Sequence, residues 1–223
     1  MEIQELHPNP LIDFDDEKVF KMMDCPKTSP AYPEVAGEYE RLKPWLYTHV
    51  RPAAVIAKEP WSKSLEPFFE GPVSKDTSGL MYLVMTIGES PERYTSELFN
   101  DGEYLSGMLL NVMADEYLFA METALMPRLK AFCAAPGLGV SRRMEAPADL
   151  SMDIHRYVFE HCQLEKRLGL GLSSGLMFAP VKTSCVVFEL TDDPKVFHAW
   201  HDCSRCPAHS CPRRSVPAGV QHL

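Results

Sequence analysis

The sequence predicts an α+β fold: a single domain over residues 1–195, with a twisted, mostly antiparallel sheet packed by helices, then a Cys-rich tail over 196–223. Three observations predict it. The runs LMYLVMTI (80–87) and TSCVVFEL (183–190) are dense in aliphatic, aromatic and β-branched residues, the composition of buried strands. Between the strand candidates lie segments with apolar residues every three or four positions, the helical period. The chain has 223 residues, 45% of them hydrophobic, enough to bury the core of one domain.

Taken in order, residues 13–24 form a short helix with Val19, Met22 and Met23 on one face. The prolines of CPKTSPAYP then interrupt it. A second helix over 34–46 carries Val35, Tyr39, Leu42 and Leu46 at helical spacing. PAAVIA (52–57) is a short apolar strand, and the Pro- and Gly-punctuated WSKSLEPFFEGPVSKDTSG is a loop with no ligand spacing. After LMYLVMTI and Gly88, a helix starts at Ser90 or Pro91 and runs to Leu98, and a turn at FNDGEY leads into the longest helix. There Leu105, Met108, Leu109, Val112, Met113 and Phe119 form the face laid on the sheet, and the methionines read as core filler. Pro127 kinks or ends that helix, with Pro136 and Gly137 as the definite stop. Four strands, PAAVIA, LMYLVMTI, SSGLMF and TSCVVFEL, make the sheet, with the helices wrapped on one face.

The candidate chemistry lies between Gly139 and Leu190. Arg142 and Arg143 sit in a turn, where a fixed guanidinium can grip a carboxylate or phosphate through two parallel hydrogen bonds. Asp149 or Ser151 caps a helix whose apolar face is Ile154, Tyr157, Val158 and Cys162. Gly169, Gly171, Ser173, Ser174 and Gly175 then keep bulk away from the backbone, so that a ligand or a neighbouring strand can approach. The plain alternative is an ordinary turn, helix, loop and strand with two solvated arginines.

A formal net charge of -9 argues against a nucleic-acid partner, because phosphate backbones are held by clustered Lys and Arg. No run approaches the ~20 apolar residues of a membrane span, and the acidic start lacks the features of a signal peptide, so the expected location is the cytoplasm. In that setting the seven cysteines are reduced thiols or metal ligands. Cys25, Cys133, Cys162 and Cys185 read as small buried hydrophobes.

The stretch YLVMTIGESPERYTSELFNDGEYLSGMLLNVMADEYLF resembles the central region of stand-alone proteins similar to the activation domain of cobalamin-dependent methionine synthase. Thr86, Gly88, Leu109 and Leu110 fit that family's pattern. LGLGLSSGLMFAPVKTSCVVFEL resembles the family's G-x-x-L-T-E-S-x-x-M-x-P-x-x-S-V-S region, with Gly169, Leu172, Ser173 and Pro180 in matching places. The resemblance covers most of residues 11–190. It implies a domain that binds S-adenosylmethionine beside a corrinoid, so that methyl transfer from the sulfonium traps reduced cobalt. The protein's part would be orientation and electrostatics. By the resemblance, Arg142 begins the family's R-x-x-x-G-Y-x-D turn and holds the methionine carboxylate of the cofactor. Asp149 closes the turn, Met144 and Ala146 lie within it as cofactor contacts, and Phe188 packs by the cofactor from the following strand. Two departures stand out. Ala146 and Pro147 replace Gly-Tyr, which removes an aromatic contact and an amide donor, and Ser173, Ser174 and Gly175 replace Thr-Glu-Ser, which removes a carboxylate.

In the tail, Cys203-x2-Cys206-x4-Cys211 offers three thiolates for one metal or cluster, and two of them precede proline, as cluster ligands often do. An iron-sulfur cluster would suit an electron relay, while zinc could recruit His198, His201 or His209. Two readings follow from the resemblance and the tail. One is an accessory for reductive reactivation of a corrinoid methyltransferase whose cobalamin is carried by the partner, with S-adenosylmethionine in the groove and an electron passed through the tail. The other is a non-catalytic binding module for a corrinoid protein, with a structural zinc. Direct methyl transfer to a small acceptor has neither an acceptor site nor a glycine-rich nucleotide loop to support it.

Overall fold

The computed structural model describes residues 1–134, 136–201, 203, 211 and 214. Its centre is a five-stranded antiparallel sheet built from β1 (Glu2–Leu6), β2 (Ala53–Pro60), β3 (Gly79–Thr86), β4 (Gly139–Met144) and β7 (Thr183–Thr191). The order across the sheet is β1-β2-β3-β7-β4. β3 is buried at every position, and its side chains alternate between two separate cores: Met81, Leu83 and Met85 face one, Leu80, Tyr82 and Val84 the other. A strand apolar at nearly every residue needs cover on both faces. The expectation of helices on one face is therefore corrected by the very run that suggested a strand.

On the first face lie α1 (Asp16–Met22), α2 (Tyr32–His49), α3 (Ser90–Asn100) and α4 (Tyr104–Ala134). Asp15 caps α1 by accepting from the Glu17 and Lys18 amides at 3.0 and 3.3 Å, and Val19 is fully buried while Met22 and Met23 are half-buried. All four of Val35, Tyr39, Leu42 and Leu46 face the core, as their spacing predicts. In α4 the buried stripe is Leu109, Leu110, Met113, Ala114, Tyr117 and Met121, whereas Met108 and Phe119 are exposed. Both are therefore corrections to the expected core face. α4 also runs straight through Pro127 to Ala134; the chain turns beyond it, with Gly137 at φ +83°, a conformation glycine adopts without a Cβ clash.

The second face is covered by α5 (Asp153–His161), α6 (Leu164–Leu168) and a 3-10 helix at Lys63–Phe68, inside the segment read as a loop. Ile154, Val158 and Cys162 are buried and Tyr157 is half-buried, so the predicted face of α5 holds. Ser151 Oγ accepts from the Asp153 amide at 3.3 Å, and Asp149 instead accepts from the Glu145 amide at 3.0 Å, closing the turn ahead of α5. SSGLMF does not join the sheet: Ser173–Gly175 are irregular, and only Phe178–Ala179 (β6) pair with Gly171–Leu172 (β5) in a small hairpin. β1 and β4 were not expected as strands. β1 is half-exposed at an edge, with little apolar signal, and β4 carries two arginines in its middle.

Residues 196–199, at the start of the expected tail, run beside β4. The Val140 amide donates to the Val196 carbonyl at 2.9 Å, the His198 amide to the Val140 carbonyl at 2.8 Å, and Ala199 is fully buried. This approach is close enough that a Cβ on Gly139 would lie 2.0 Å from the Asp193 carbonyl oxygen, while one on Gly37, exposed in α2, would meet nothing within 4 Å. Gly139→Ala should therefore cost about 1–3 kcal/mol through backbone displacement. Gly37→Ala should raise stability by about 0.5–1 kcal/mol through helix propensity. Urea denaturation of the two variants measures both, and a neutral Gly139→Ala would contradict the packing.

Candidate functional site

Antiparallel partners on adjacent strands point the same way, so the pairing of β4 with β7 assigns the two arginines to opposite faces. Arg142 pairs with Glu189 and Arg143 with Phe188. Arg142 Nε donates to Glu189 Oε2 at 3.1 Å, and its guanidinium carbon stands 6.0 Å from the Phe69 ring. Glu189 is 2% exposed and also accepts from the Thr77 hydroxyl and, at 3.2 Å, from the Ser74 amide. A buried carboxylate needs such donors. On the other face Arg143 clasps Glu122 of α4 through Nε and Nη2 at 3.0–3.2 Å and also pairs with Glu145. The pair expected in a turn is thus on a strand, and each member is bound to a carboxylate of the protein itself. The terminal nitrogens of Arg142 make no hydrogen bond among the described residues, and about a third of its side chain is exposed.

β4 pairs with β7 only as far as Met144 opposite Val187. Beyond that point the chain swings away through Glu145–Asp149, and the β4-side edge of β7 over 183–186 carries no strand partner among the described residues. The gap is a cleft of about 190 Å³ lined by Glu145, Ala146, His155, Phe178, Ser184 and Cys185, with Met177, Val181 and Thr183 completing its wall. Met177 and Val181 are exposed on the rim. Phe178 makes a tilted contact with the His155 ring at 4.9 Å between centroids. His155 is 9% exposed, and burial pushes its pKa below the ordinary value, so the ring is neutral at pH 7. Burial pushes the Cys185 thiol up, which keeps it protonated and unsuited to nucleophilic work.

Of the five residues expected at the cofactor, only Ala146 lines this cleft. Asp149 supports it from behind by holding the Glu145 amide, Met144 is fully buried in the second core, and Phe188 is fully buried on the opposite face of the sheet from Arg142. The fold brings Glu145, His155, Phe178, Ser184 and Cys185 together from four separate segments. His155 had a signal, since it stands at i, i+3, i+7 with Val158 and Cys162 on the buried side of α5. A second recess of about 300 Å³ lies between α1 and α2, walled by Phe20, Tyr32 and solvated charges of both signs, and none of the expected site residues lines it.

For the tail, Cys206 and His209 lie outside the described residues. Cys203 and Cys211 are half-buried, and among the described residues no group of three His, Cys, Asp or Glu is placed to hold a metal ion. No described helix is long and apolar enough to cross a membrane.

A solved structure shares this mixed helix and sheet fold. That structure is of the MetH reactivation domain bound to AdoHcy; it aligns with a TM-score of 0.62 over 85% of this chain and 78% of its own length, at 11% identity. The likeness establishes the fold. No protein-family model matches the chain, and no curated protein matches it by sequence.

The Arg142–Glu189 contact sets a stability expectation. Arg142→Ala strips the buried carboxylate of its cationic partner and should cost about 1–3 kcal/mol. Adding Glu189→Gln removes the stranded charge and should recover part of that loss, read as denaturation midpoints in a double-mutant cycle.

Proposed function

We propose that this protein is an accessory for reductive reactivation of a corrinoid-dependent methyltransferase, holding a nucleoside sulfonium or thioether of the S-adenosylmethionine class in the cleft at Ala146. The observation that carries the proposal is the break in β4–β7 pairing, which opens a cleft at the turn matched by sequence in a fold shared with a reactivation domain bound to AdoHcy. Unpaired strand edges and turn amides can bind polar ligand atoms without any special side chain. This is why the replacement of Gly-Tyr by Ala146 and Pro147 is tolerable: the backbone path, more than the side chains, makes the cleft. Arg142 stands three residues from the turn, and its terminal nitrogens, which make no hydrogen bond among the described residues, are suited to the carboxylate of a ligand's amino-acid portion. The chemistry on cobalt would belong to the partner's cofactor; this chain's residues would bind, orient and exclude water.

Calorimetry with S-adenosylhomocysteine tests the cleft. Micromolar binding is expected for the unaltered protein. Ser184→Trp, which fills the cleft from β7, should weaken binding at least about tenfold, since 1.4 kcal/mol corresponds to that factor. A protein that gives no heat at millimolar ligand would remove the ligand from the proposal.

We assign the tail thiols, Cys203, Cys206 and Cys211, to an iron-sulfur centre on their spacing alone. Protein purified without oxygen should be brown and contain iron and sulfide, with absorption near ~400 nm bleached by dithionite. Stoichiometric zinc in a colourless protein would instead favour the binding-module alternative with a stapled tail.

A further inference from the structure

Given the nucleoside ligand proposed above, we propose that His155 selects its base, accepting a hydrogen bond at Nε2 from an exocyclic amine placed in the cleft. His155 Nδ1 lies 2.9 Å from the Leu176 carbonyl oxygen. A carbonyl only accepts, so Nδ1 carries the proton, and in the neutral ring Nε2 is left with a lone pair and no hydrogen. Nε2 has no hydrogen-bond partner among the described residues, and it is not among the side-chain polar atoms shut off from the surface without a partner. The imidazole therefore presents an acceptor, and only an acceptor, and His155 is one of the residues that line the cleft.

This orientation is built in by the hairpin turn. Leu176 holds φ +62°, a left-handed conformation unfavourable for a side chain of its size. It is kept there by Ser173, whose carbonyl accepts from the Leu176 amide at 3.0 Å and whose hydroxyl accepts from the Met177 amide at 3.0 Å, while the Ser173 amide donates to the Met177 carbonyl at 2.9 Å. The turn aims the Leu176 carbonyl at Nδ1, and Phe178, two residues on, packs on the ring. The hydrogen bonds of Ser173 hold this strained turn in place, and with it the carbonyl that fixes the tautomer of the buried histidine.

The ligand's donor follows from the surroundings. A cleft of about 190 Å³ is smaller than the ~300–1,000 Å³ sites that enclose whole cofactors, so it takes one ring and leaves the rest on the rim. Phe178, packed on His155, with Met177 and Val181 gives the cleft apolar surface suited to the flat faces of a base, whereas Glu145, Thr183 and Ser184 supply polar groups suited to sugar and amino-acid portions. An amine on that base meets the waiting lone pair. A base without one leaves a desolvated acceptor unpaired, a loss worth about 10- to 100-fold in affinity.

The test compares S-adenosylhomocysteine with its analogue carrying hydrogen in place of the 6-amine, by calorimetry on wild type and on His155→Phe, which retains a ring against Phe178. Wild type should prefer the amine by about 10- to 100-fold, and His155→Phe should bind the two within about twofold. In parallel, ¹⁵N NMR of the wild-type imidazole should show Nε2 unprotonated and shifted by the adenine compound but not by the analogue, a readout that needs no variant to fold. Equal binding of both ligands by wild type, or an unmoved Nε2 resonance, overturns the assignment while leaving the cleft as a nucleoside site. Absence of binding by either ligand overturns both.

Discussion

Strand β7 constrains everything else, because it is shared. Its pairing with β3 runs through eight residues, from Thr183 opposite Thr86 to Leu190 opposite Gly79, whereas its pairing with β4 ends at Val187. The first contact locks the two most apolar strands in one register and so decides which residues enter which core. A one-residue slip would send Val186, Phe188 and Leu190 to the opposite core and bring Glu189 beneath α4. The second contact, being shorter, leaves the first residues of β7 bare on one side. Stability comes from the complete pairing and the cleft from the incomplete one.

The same alternation explains how a sheet with both faces covered tolerates charge. Glu189 is the charged residue among the apolar Val186, Val187, Phe188 and Leu190 of β7, and it is met by Arg142, Thr77 and Ser74, so the segment 61–78 is tied to the sheet from its own side. Arg143, one residue on, ties β4 to α4 through Glu122. Neighbouring arginines thus clamp two different layers to one edge strand. Buried pairs of this kind add little over apolar packing but are costly to break, so they favour one arrangement over its competitors. They also hold β4 in place up to the point where the chain must leave the sheet to form the turn behind the cleft.

Much of the fold was legible locally. The spacing of Val35, Tyr39, Leu42 and Leu46 marked α2, and the density of LMYLVMTI and TSCVVFEL marked β3 and β7. The misread elements share a cause. Arg142 and Arg143 in the middle of β4 suggested a turn because their carboxylates, Glu189 and Glu122, are distant in sequence, and SSGLMF looked like a sheet strand because a two-residue hairpin and a buried Phe178 leave the same short apolar mark. Pro127 was expected to kink or end the helix, yet α4 continues to Ala134, since a helix anchored on both sides of the proline by Met121, Leu125 and Leu129 can forgo one hydrogen bond. Of the residues that line the candidate cleft, Ala146 entered the sequence reading only through the resemblance, as a departure from its turn motif, and His155 stood in plain view on a buried helix face without any sign of what it faced.

By itself the sequence determined what depends on neighbours in the chain: the periods that make helices and strands, the glycine and proline punctuation, the acidic surface and the cysteine spacing of the tail. Tertiary structure alone decided what depends on partners far apart. It set the strand order β1-β2-β3-β7-β4, placed Arg142 and Phe188 on opposite faces, and stopped β4 short of the start of β7. The division has a physical reason. Local preferences act through backbone torsions and hydrogen bonds within a turn or two, whereas a cleft exists only where two strands cease to pair, and pairing is settled by the packing of the whole sheet.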